Sequence, residues 1–372
     1  MRKFFNKKGG ITIFLTSILI TMIMAGMVFV HAARGICGAS YSDAVLELAG
    51  RSVLAEFDRR LKDEYGIFAF YGSEGLVAYG INLYASASFN KTFPGERGGN
   101  TGAITDLFKL KLQRIDVCLA SYSLMDIDVF EEQITAAAGI LGTRNVKVNE
   151  YILSHFKYAV GDDKNKDTFF ENEVEYILYG NMRDEDNLSR FRREFVIMRT
   201  PLNSAHILAS SEKRGAAQAL AQTFGPAAPI AFTVIVAAWS LAEAENDARL
   251  LMAGKNVAMI KNDLNWALDL KNAVRVTSIK DEDGDIVDVT ATPRPISGYV
   301  SPKSDEGMSY SGYLRFFLYM EKRETKLLRA MDLIQMNFRG SYYEDFSIMD
   351  HYTGFSLSAT VSGKKFEYEQ KY

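Results

Sequence analysis

The chain has 372 residues, of which 48% are hydrophobic and 24% charged, and its formal net charge at pH 7 is -3. These fractions are typical of a globular protein and exclude a disordered chain and a polytopic membrane protein. Both signs of charge are mixed along the chain, which argues against nucleic acid as a partner. Two cysteines are too few for a disulfide scaffold or a four-thiolate zinc site.

The first feature of the chain is an apolar segment at residues 11–33 that contains no Asp, Glu, Lys or Arg. Its length suits a helix that crosses about 30 Å of hydrocarbon. Four Lys and Arg residues precede it, so the positive-inside rule predicts a cytoplasmic basic leader at residues 1–10. The prediction is a single-pass protein of the cell membrane, in contact with membrane lipid, with its C-terminal domain outside the cell.

Three fates of this segment remain open. It can stay as a transmembrane anchor, which its length favours over the 7–15 apolar residues of a cleavable signal. Signal peptidase could instead cut after Ala32, behind Val30 and His31. A prepilin-type peptidase could cut between Gly10 and Ile11, where a basic leader meets the apolar helix.

Helical spacing continues beyond the segment, from Tyr41 to Tyr65, with Gly66 as a C-terminal cap. Residues 34–66 are therefore interpreted as a stalk-like helix. It is either continuous with the membrane helix or broken from it near Gly35 and Gly38. The remaining residues, 67–372, are assigned to one extracytoplasmic domain.

Periodicity predicts a strand within 107–123 and, in chain order, helices at 76–89, 128–141, 148–158, 185–199, 201–210 and 212–224. The apolar run Ile230–Ala242 is too short to span a membrane and is predicted to be a core helix. Alternation on both sides of Asp-Gly predicts a β-hairpin at about 273–292. Two helices at 309–319 and 322–338 and a β-rich C-terminus at 346–370 follow. The fold class is α+β, with these strands in one antiparallel sheet.

Several stretches resemble a known family. The quoted residues are "GGITIFLTSILITMIMAGMVFVHAARG" with "YSDAVLELAGRSVLAEFDRRLKDEYGIFAF", and later "FFENEVEYILYG", "LAEAENDARLLMAGKNVAMIK" and "GMSYSGYLRFFLYMEKRETKLLRAMDLIQMNFR". Together they resemble TadE/TadG-like pilus-assembly proteins, in their large Gram-positive branch. The resemblance implies a surface-facing, single-pass component of a Tad (Flp) pilus or secretion apparatus, without catalytic residues. Pilins carry Glu five residues into the mature helix, and that position is Leu15 here.

Other candidate sites give weaker signals. Cys37 and Cys118 could form one disulfide outside the cell, or remain free thiols. The four histidines are dispersed and predict no metal site. Ser309 is interpreted as a helix N-cap, since no Ser/His/Asp arrangement accompanies it. No cofactor is predicted.

The sequence therefore predicts a structural or assembly component of a Tad-type apparatus, with pilin-like or secretion-platform proteins as partners. The alternative is a membrane-anchored, hydrolase-like enzyme whose site is formed by residues scattered in sequence. A carboxylate, His or Ser cluster in a deep pocket would favour the enzyme. A shallow apolar surface beside the stalk would favour assembly.

Overall fold

The computed structural model describes residues 7–90, 108, 110–157, 169–282, 284, 286–304, 306–341 and 343–372, so residues 1–6 of the predicted leader lie outside it. The described helices are α1 (Lys7–Leu54), α2 (Arg59–Tyr65), α3 (Glu74–Asn90), α4 (Ile127–Ala137), α5 (Arg144–His155), α6 (Glu173–Tyr179), α7 (Asp184–Ala209), α8 (Ser211–Gln222), α9 (Ala228–Met252), α10 (Leu270–Ala273), α11 (Tyr310–Met320) and α12 (Arg323–Ser341). The strands are β1 (Phe70–Tyr71), β2 (Leu112–Cys118), β3 (Val274–Lys280), β4 (Ile286–Pro293), β5 (His351–Tyr352), β6 (Gly354–Val361) and β7 (Lys364–Lys371). All of the strand pairs are antiparallel, which confirms the α+β class.

The chain forms two compact units. Unit 1 contains residues 1–137 and 347–372, and unit 2 contains residues 138–346. The single domain predicted at 67–372 is thus divided between them. The C-terminal strands return to unit 1 because β6 pairs with β2, more than two hundred residues earlier in the chain, in the order β2-β6-β7.

Unit 1 places the second half of α1, together with α3, against this three-stranded sheet. The central strand β6 alternates, with Phe355, Leu357 and Ala359 buried and the residues between them half-buried. Those buried side chains join apolar residues of α1 and α3 in one core, including Leu46 and Ile81. The amphipathic strand and the amphipathic half-helix therefore bury each other's apolar faces.

Helix α1 is continuous from the apolar segment to Leu54, without a break at Gly35 or Gly38. The stalk-like helix predicted at 34–66 is wrong in its second part, because the helix stops and α2 begins at Arg59. Asp58 causes the restart: its carboxylate accepts hydrogen bonds from the backbone N–H groups of residues 60 and 61, as an N-cap does. Gly66 is the C-cap of α2 in the left-handed conformation, as predicted.

Unit 2 contains a core in which α9 is surrounded by α7, α8 and the strands β3 and β4. The run predicted to be a core helix lies in α9, where Ile235 and Trp239 are buried. Strands β3 and β4 pair with each other, and Val274 and Val289 pack in the α9 core. The prediction that they share a sheet with the C-terminal strands is wrong, because this apolar face is covered by α9 within unit 2.

Helix α7 also differs from the prediction of two helices separated at Pro201. It runs unbroken through Pro201, although proline lacks the N–H group that an inner helical turn requires. Contacts with α9 hold the turns on both sides: Arg199 bonds to Asp247, and Asn203 donates to the Ser240 carbonyl. Tertiary packing thus outweighs the local cost of the proline.

Candidate functional site

The first candidate site is the anchor segment, residues 11–33 of α1. Its large apolar side chains are exposed, from 40% at Ile18 to 75% at Phe29. At 1.5 Å per residue, 23 residues extend about 35 Å, enough for the hydrocarbon core of a bilayer. Helix α9 is also long and apolar enough to span a membrane. However, 56% of its apolar 18-residue stretch is buried inside the protein, against 0% of the corresponding stretch in α1. Of these two helices, only α1 has its long apolar stretch fully exposed in the part of the chain that the structure describes.

The predicted processing residues lie on the same helix. Gly10 and Ile11 are both within α1, and Leu15, at the position where pilins carry Glu, is 59% exposed. Cys37 and Cys118 are exposed free thiols, on α1 and at the end of β2. The pair considered for a disulfide is therefore not joined in this structure.

A cleft of about 330 Å³, the base cleft, opens where α1 leaves the anchor segment. The α1 residues that line it are His31, Arg34 and four small residues, among them Gly35 and Gly38, and further lining residues come from the β6–β7 turn and its neighbours. A Cβ at Gly35 would meet no atom within 4 Å, so this side of the cleft is open. The charged residues lining the cleft are Arg34 and Lys364, and Phe366 contributes an apolar surface. It is a small cleft beside α1.

The second candidate site is the Glu175 cleft of unit 2, a cavity of about 490 Å³. Glu175 is positioned by Asn172, the N-cap of α6. The Asn172 side chain accepts a hydrogen bond from the Glu175 N–H, and its amide donates to Glu175 Oε1 at 2.9 Å. The Tyr310 hydroxyl, from α11, donates to the same oxygen. Asn172 and Tyr310 thus fix the carboxyl group of a side chain that is only 3% exposed.

The residues that line the Glu175 cleft include both acidic and apolar side chains. Further carboxylates come from Glu171, Asp184 and Glu185, and the apolar surface comes from three residues of α7 and α9, which are Leu188, Leu251 and Met252. The pKa of Glu175 is raised from its ordinary 4.5 to about 7, mainly by burial and also by the charge of Asp184, while the Tyr310 hydrogen bond acts to lower it. A carboxyl group with this pKa can give or take a proton near neutral pH.

A third group of charged residues lies in the core of unit 2 and serves the fold. Lys261 donates to Glu243 at 2.8 Å and to Asp247 at 2.7 Å, and Arg199 donates to Asp247 at 3.1 Å. Glu243 also accepts two backbone N–H groups of the irregular segment 255–269, and burial raises its pKa. Two cations and two carboxylates compensate each other, so the network pins this segment to α7 and α9.

The histidines are dispersed in the structure as in the sequence. The Nε2 atom of His351 lies 3.6 Å from Asp58 in unit 1, and that of His206 lies 3.4 Å from Asp263 in unit 2. Among the residues that the structure describes, no group of three or more His, Cys, Asp or Glu side chains is placed to hold a metal ion. Ser309 is the N-cap of α11, as predicted, and accepts from the Gly312 N–H.

Sequence reasoning did not find the Glu175 cleft. One local signal was present, the Asn-x-x-Glu spacing of a helix N-terminus at residues 172–175. Nothing in the sequence connects this motif with Tyr310, which is 135 residues away. Their meeting depends on the packing of α6 against α11.

The comparisons with known proteins give one match. The model of a family of unknown function, DUF5702, matches residues 122–363, a range that includes all of unit 2 and lies beyond α1. No curated protein and no solved structure matches the chain.

Proposed function

Because the chain belongs to the DUF5702 family, whose function is unknown, we propose a function from its own structure and from its sequence resemblance. The chain is a membrane-anchored assembly component of a Tad-type pilus or secretion apparatus. The anchor segment holds it in the cell membrane with a cytoplasmic N-terminus, and both units lie outside. Its action is mechanical and associative, through contacts with pilin-like or secretion-platform proteins.

The observation that carries this proposal is the division of α1 into two functional halves. The anchor segment is apolar, exposed and free of charged residues, so water is an unfavourable solvent for it. The following half of the same helix packs on the sheet of unit 1. A continuous helix between membrane and sheet gives a rigid connection, which suits a part that positions its neighbours.

Surface features beside the stalk support association with other chains. Leu48 is 62% exposed on the packed half of α1, and Tyr41 is 37% exposed about two turns earlier on the same face. The base cleft, next to them on the same helix, has small residues on its α1 side. Small residues allow a partner helix to approach closely, and exposed apolar side chains contribute to an interface.

Maleimide labelling tests the orientation. The two cysteines are exposed, so a membrane-impermeant maleimide should label Cys37→Ser and Cys118→Ser variants equally in intact and in lysed cells. Labelling that requires lysis would contradict the proposed orientation. A mature N-terminus at Ile11, found by mass spectrometry, would indicate a pilin-type processing, and one at Ala33 would remove the anchor.

Site-specific photo-crosslinking tests the assembly function. A photoreactive residue at Leu48 should crosslink to a pilin-like or platform protein in cells. The same residue at Leu264, which is 59% exposed in unit 2, serves as the matched control. Deletion of the gene should abolish assembly of the Tad-type apparatus. Normal assembly in the deletion strain would overturn the proposal.

The Glu175 cleft favours the alternative, a membrane-anchored enzyme, because it presents a carboxyl group with a pKa of about 7. Such an enzyme would use Glu175 as general acid or base. Complementation separates the two functions: Glu175→Gln keeps the size of the side chain and loses its proton transfer. If this variant restores the deletion strain fully, the enzymatic alternative is excluded.

A further inference from the structure

We propose that the Glu175 cleft binds a primary alkylammonium group, with the ammonium at Glu175 and the apolar stem against Leu188, Leu251 and Met252. The group can belong to a free amine or to a lysine side chain of a partner chain. This inference uses only residues of unit 2, and it holds whether or not the chain is an assembly component.

The first argument is the incomplete bonding of the Glu175 carboxylate. The two hydrogen bonds that it accepts, from Asn172 and Tyr310, both end on Oε1. Its Oε2 atom therefore accepts no hydrogen bond from the residues that the structure describes, although Glu175 is only 3% exposed. This oxygen is free to accept a hydrogen bond from an ammonium N–H, which is a strong donor for a carboxylate.

The second argument is the sign of the charge. The cleft is lined by four carboxylates, and no Lys, Arg or His is among its described lining residues. Arg183 pairs with Glu185 at 2.9 Å and compensates one of the four. The Oδ1 atom of Asp184 is buried and has no hydrogen-bond partner. The remaining negative charge favours a cation over a neutral ligand of equal size.

The third argument is the combination of volume and apolar surface. A cavity of about 490 Å³ is within the range of small-molecule sites, which combine apolar walls with few polar groups. Leu188, Leu251 and Met252 are the large apolar side chains that line the same cavity as Glu175. Each methylene buried there should tighten binding by about fourfold. A hydrated divalent ion would not use this surface, and no three ligating side chains meet among the described residues.

Calorimetric titration of the full chain in detergent tests the proposal, with n-butylammonium chloride, methylammonium chloride and n-butanol as probes. At pH 8 Glu175 is mainly ionised, since its pKa is about 7. Tyr310 and Asp184 act on that pKa, and Glu171 and Glu185 are the other titratable groups that line the cleft. We expect one n-butylammonium per chain, bound at least tenfold more tightly than n-butanol. Glu175→Gln should weaken n-butylammonium at least tenfold and leave n-butanol unchanged.

A second variant keeps the test valid if Glu175→Gln affects folding. Leu188 is 39% exposed at the cleft, so Leu188→Ala should fold, and it should weaken n-butylammonium more than methylammonium. Equal affinities for n-butylammonium and n-butanol would overturn the proposal. So would displacement of the amine by Mg²⁺ or Ca²⁺, or absence of binding to the wild type.

Peptides distinguish the two sources of the group. A short peptide with a central lysine that binds more tightly than n-butylammonium, and loses binding when that lysine is acetylated, assigns the group to a partner chain. A peptide that binds more weakly than n-butylammonium assigns it to a free amine. Either result supports an alkylammonium site.

Discussion

The hydroxyl of Tyr310 donates a hydrogen bond to the carboxylate of Glu175 across 135 residues of sequence. Glu175 is already bonded to Asn172, the N-cap of α6, so the Tyr310 bond joins the start of α6 to the first turn of α11. Burial, followed by the charge of Glu175, raises the pKa of Tyr310, which keeps this hydroxyl a donor at physiological pH. One carboxyl group thus connects a local helix cap with a tertiary contact.

The stability of unit 2 should fall as the pH rises, because of Glu175. Its pKa is about 7 in the folded chain against 4.5 ordinarily, so the folded state binds the proton more tightly. The protonated Glu175 thus contributes on the order of 3 kcal/mol to the free energy of unfolding. This contribution is fully present below pH 4.5 and is lost as the pH rises through 7. We expect Glu175→Gln to lose less unfolding free energy than wild type between pH 4 and 8.

Urea unfolding followed by tryptophan fluorescence measures this difference. The two tryptophans of the chain, Trp239 and Trp266, lie in the α9 core and report on unit 2. Asp184→Asn is the control, because the charge of Asp184 contributes to the raised pKa of Glu175 and its removal should move the transition to lower pH. Identical pH profiles for wild type and Glu175→Gln would contradict the prediction.

Removal of Lys261 should destabilise unit 2 by about 3–5 kcal/mol, because Glu243 and Asp247 would then share one buried cation, Arg199. The matched control is Glu47→Ala, which breaks the exposed pair with Arg51 and should cost less than about 1 kcal/mol. Denaturant midpoints of Lys261→Ala and Glu47→Ala check the contrast. Similarly small losses of unfolding free energy in both variants would show that the buried network does not stabilise unit 2.

Two glycines should respond to alanine in opposite directions. Gly307 has φ +151°, and a Cβ there would lie 2.3 Å from the backbone carbon of Val257. Gly307→Ala should therefore cost about 3 kcal/mol or more. Gly215 lies inside α8 with no atom within 4 Å of a Cβ, so Gly215→Ala should stabilise by about 0.5–1 kcal/mol. Thermal unfolding of both variants measures these changes in stability. An unchanged melting temperature for Gly307→Ala would contradict the close contact.

A charge in the anchor segment should weaken membrane retention, if the proposed anchor is correct. Leu19→Arg places a cation near the middle of the segment. The free energy of inserting an arginine there is unfavourable by about 2.5–3.5 kcal/mol. Leu48→Arg is the matched control, because both leucines lie on α1 and are exposed by 58% and 62%. We expect carbonate extraction to release Leu19→Arg and not Leu48→Arg. Equal retention would indicate that lipid does not surround Leu19.

Local patterns predicted the elements that depend on neighbouring residues. The cap at Gly66 and the N-cap at Ser309 are confirmed because each involves bonds within one helical turn. Val45, Leu48 and Val53 are apolar positions within the helical spacing of residues 41–65, yet Leu48 is exposed while the other two are buried. Spacing alone cannot tell which apolar residue of a wide stripe meets the sheet.

The sequence by itself determined that residues 11–33 form an uncharged apolar helix, because length and hydropathy need no distant partner. Tertiary structure alone decided that α7 continues through Pro201, that β3 and β4 form their own sheet, and that Glu175 meets Tyr310. These features depend on burial and on contacts between residues far apart in the chain. A carboxyl group acquires a pKa of about 7 only where the fold removes it from water.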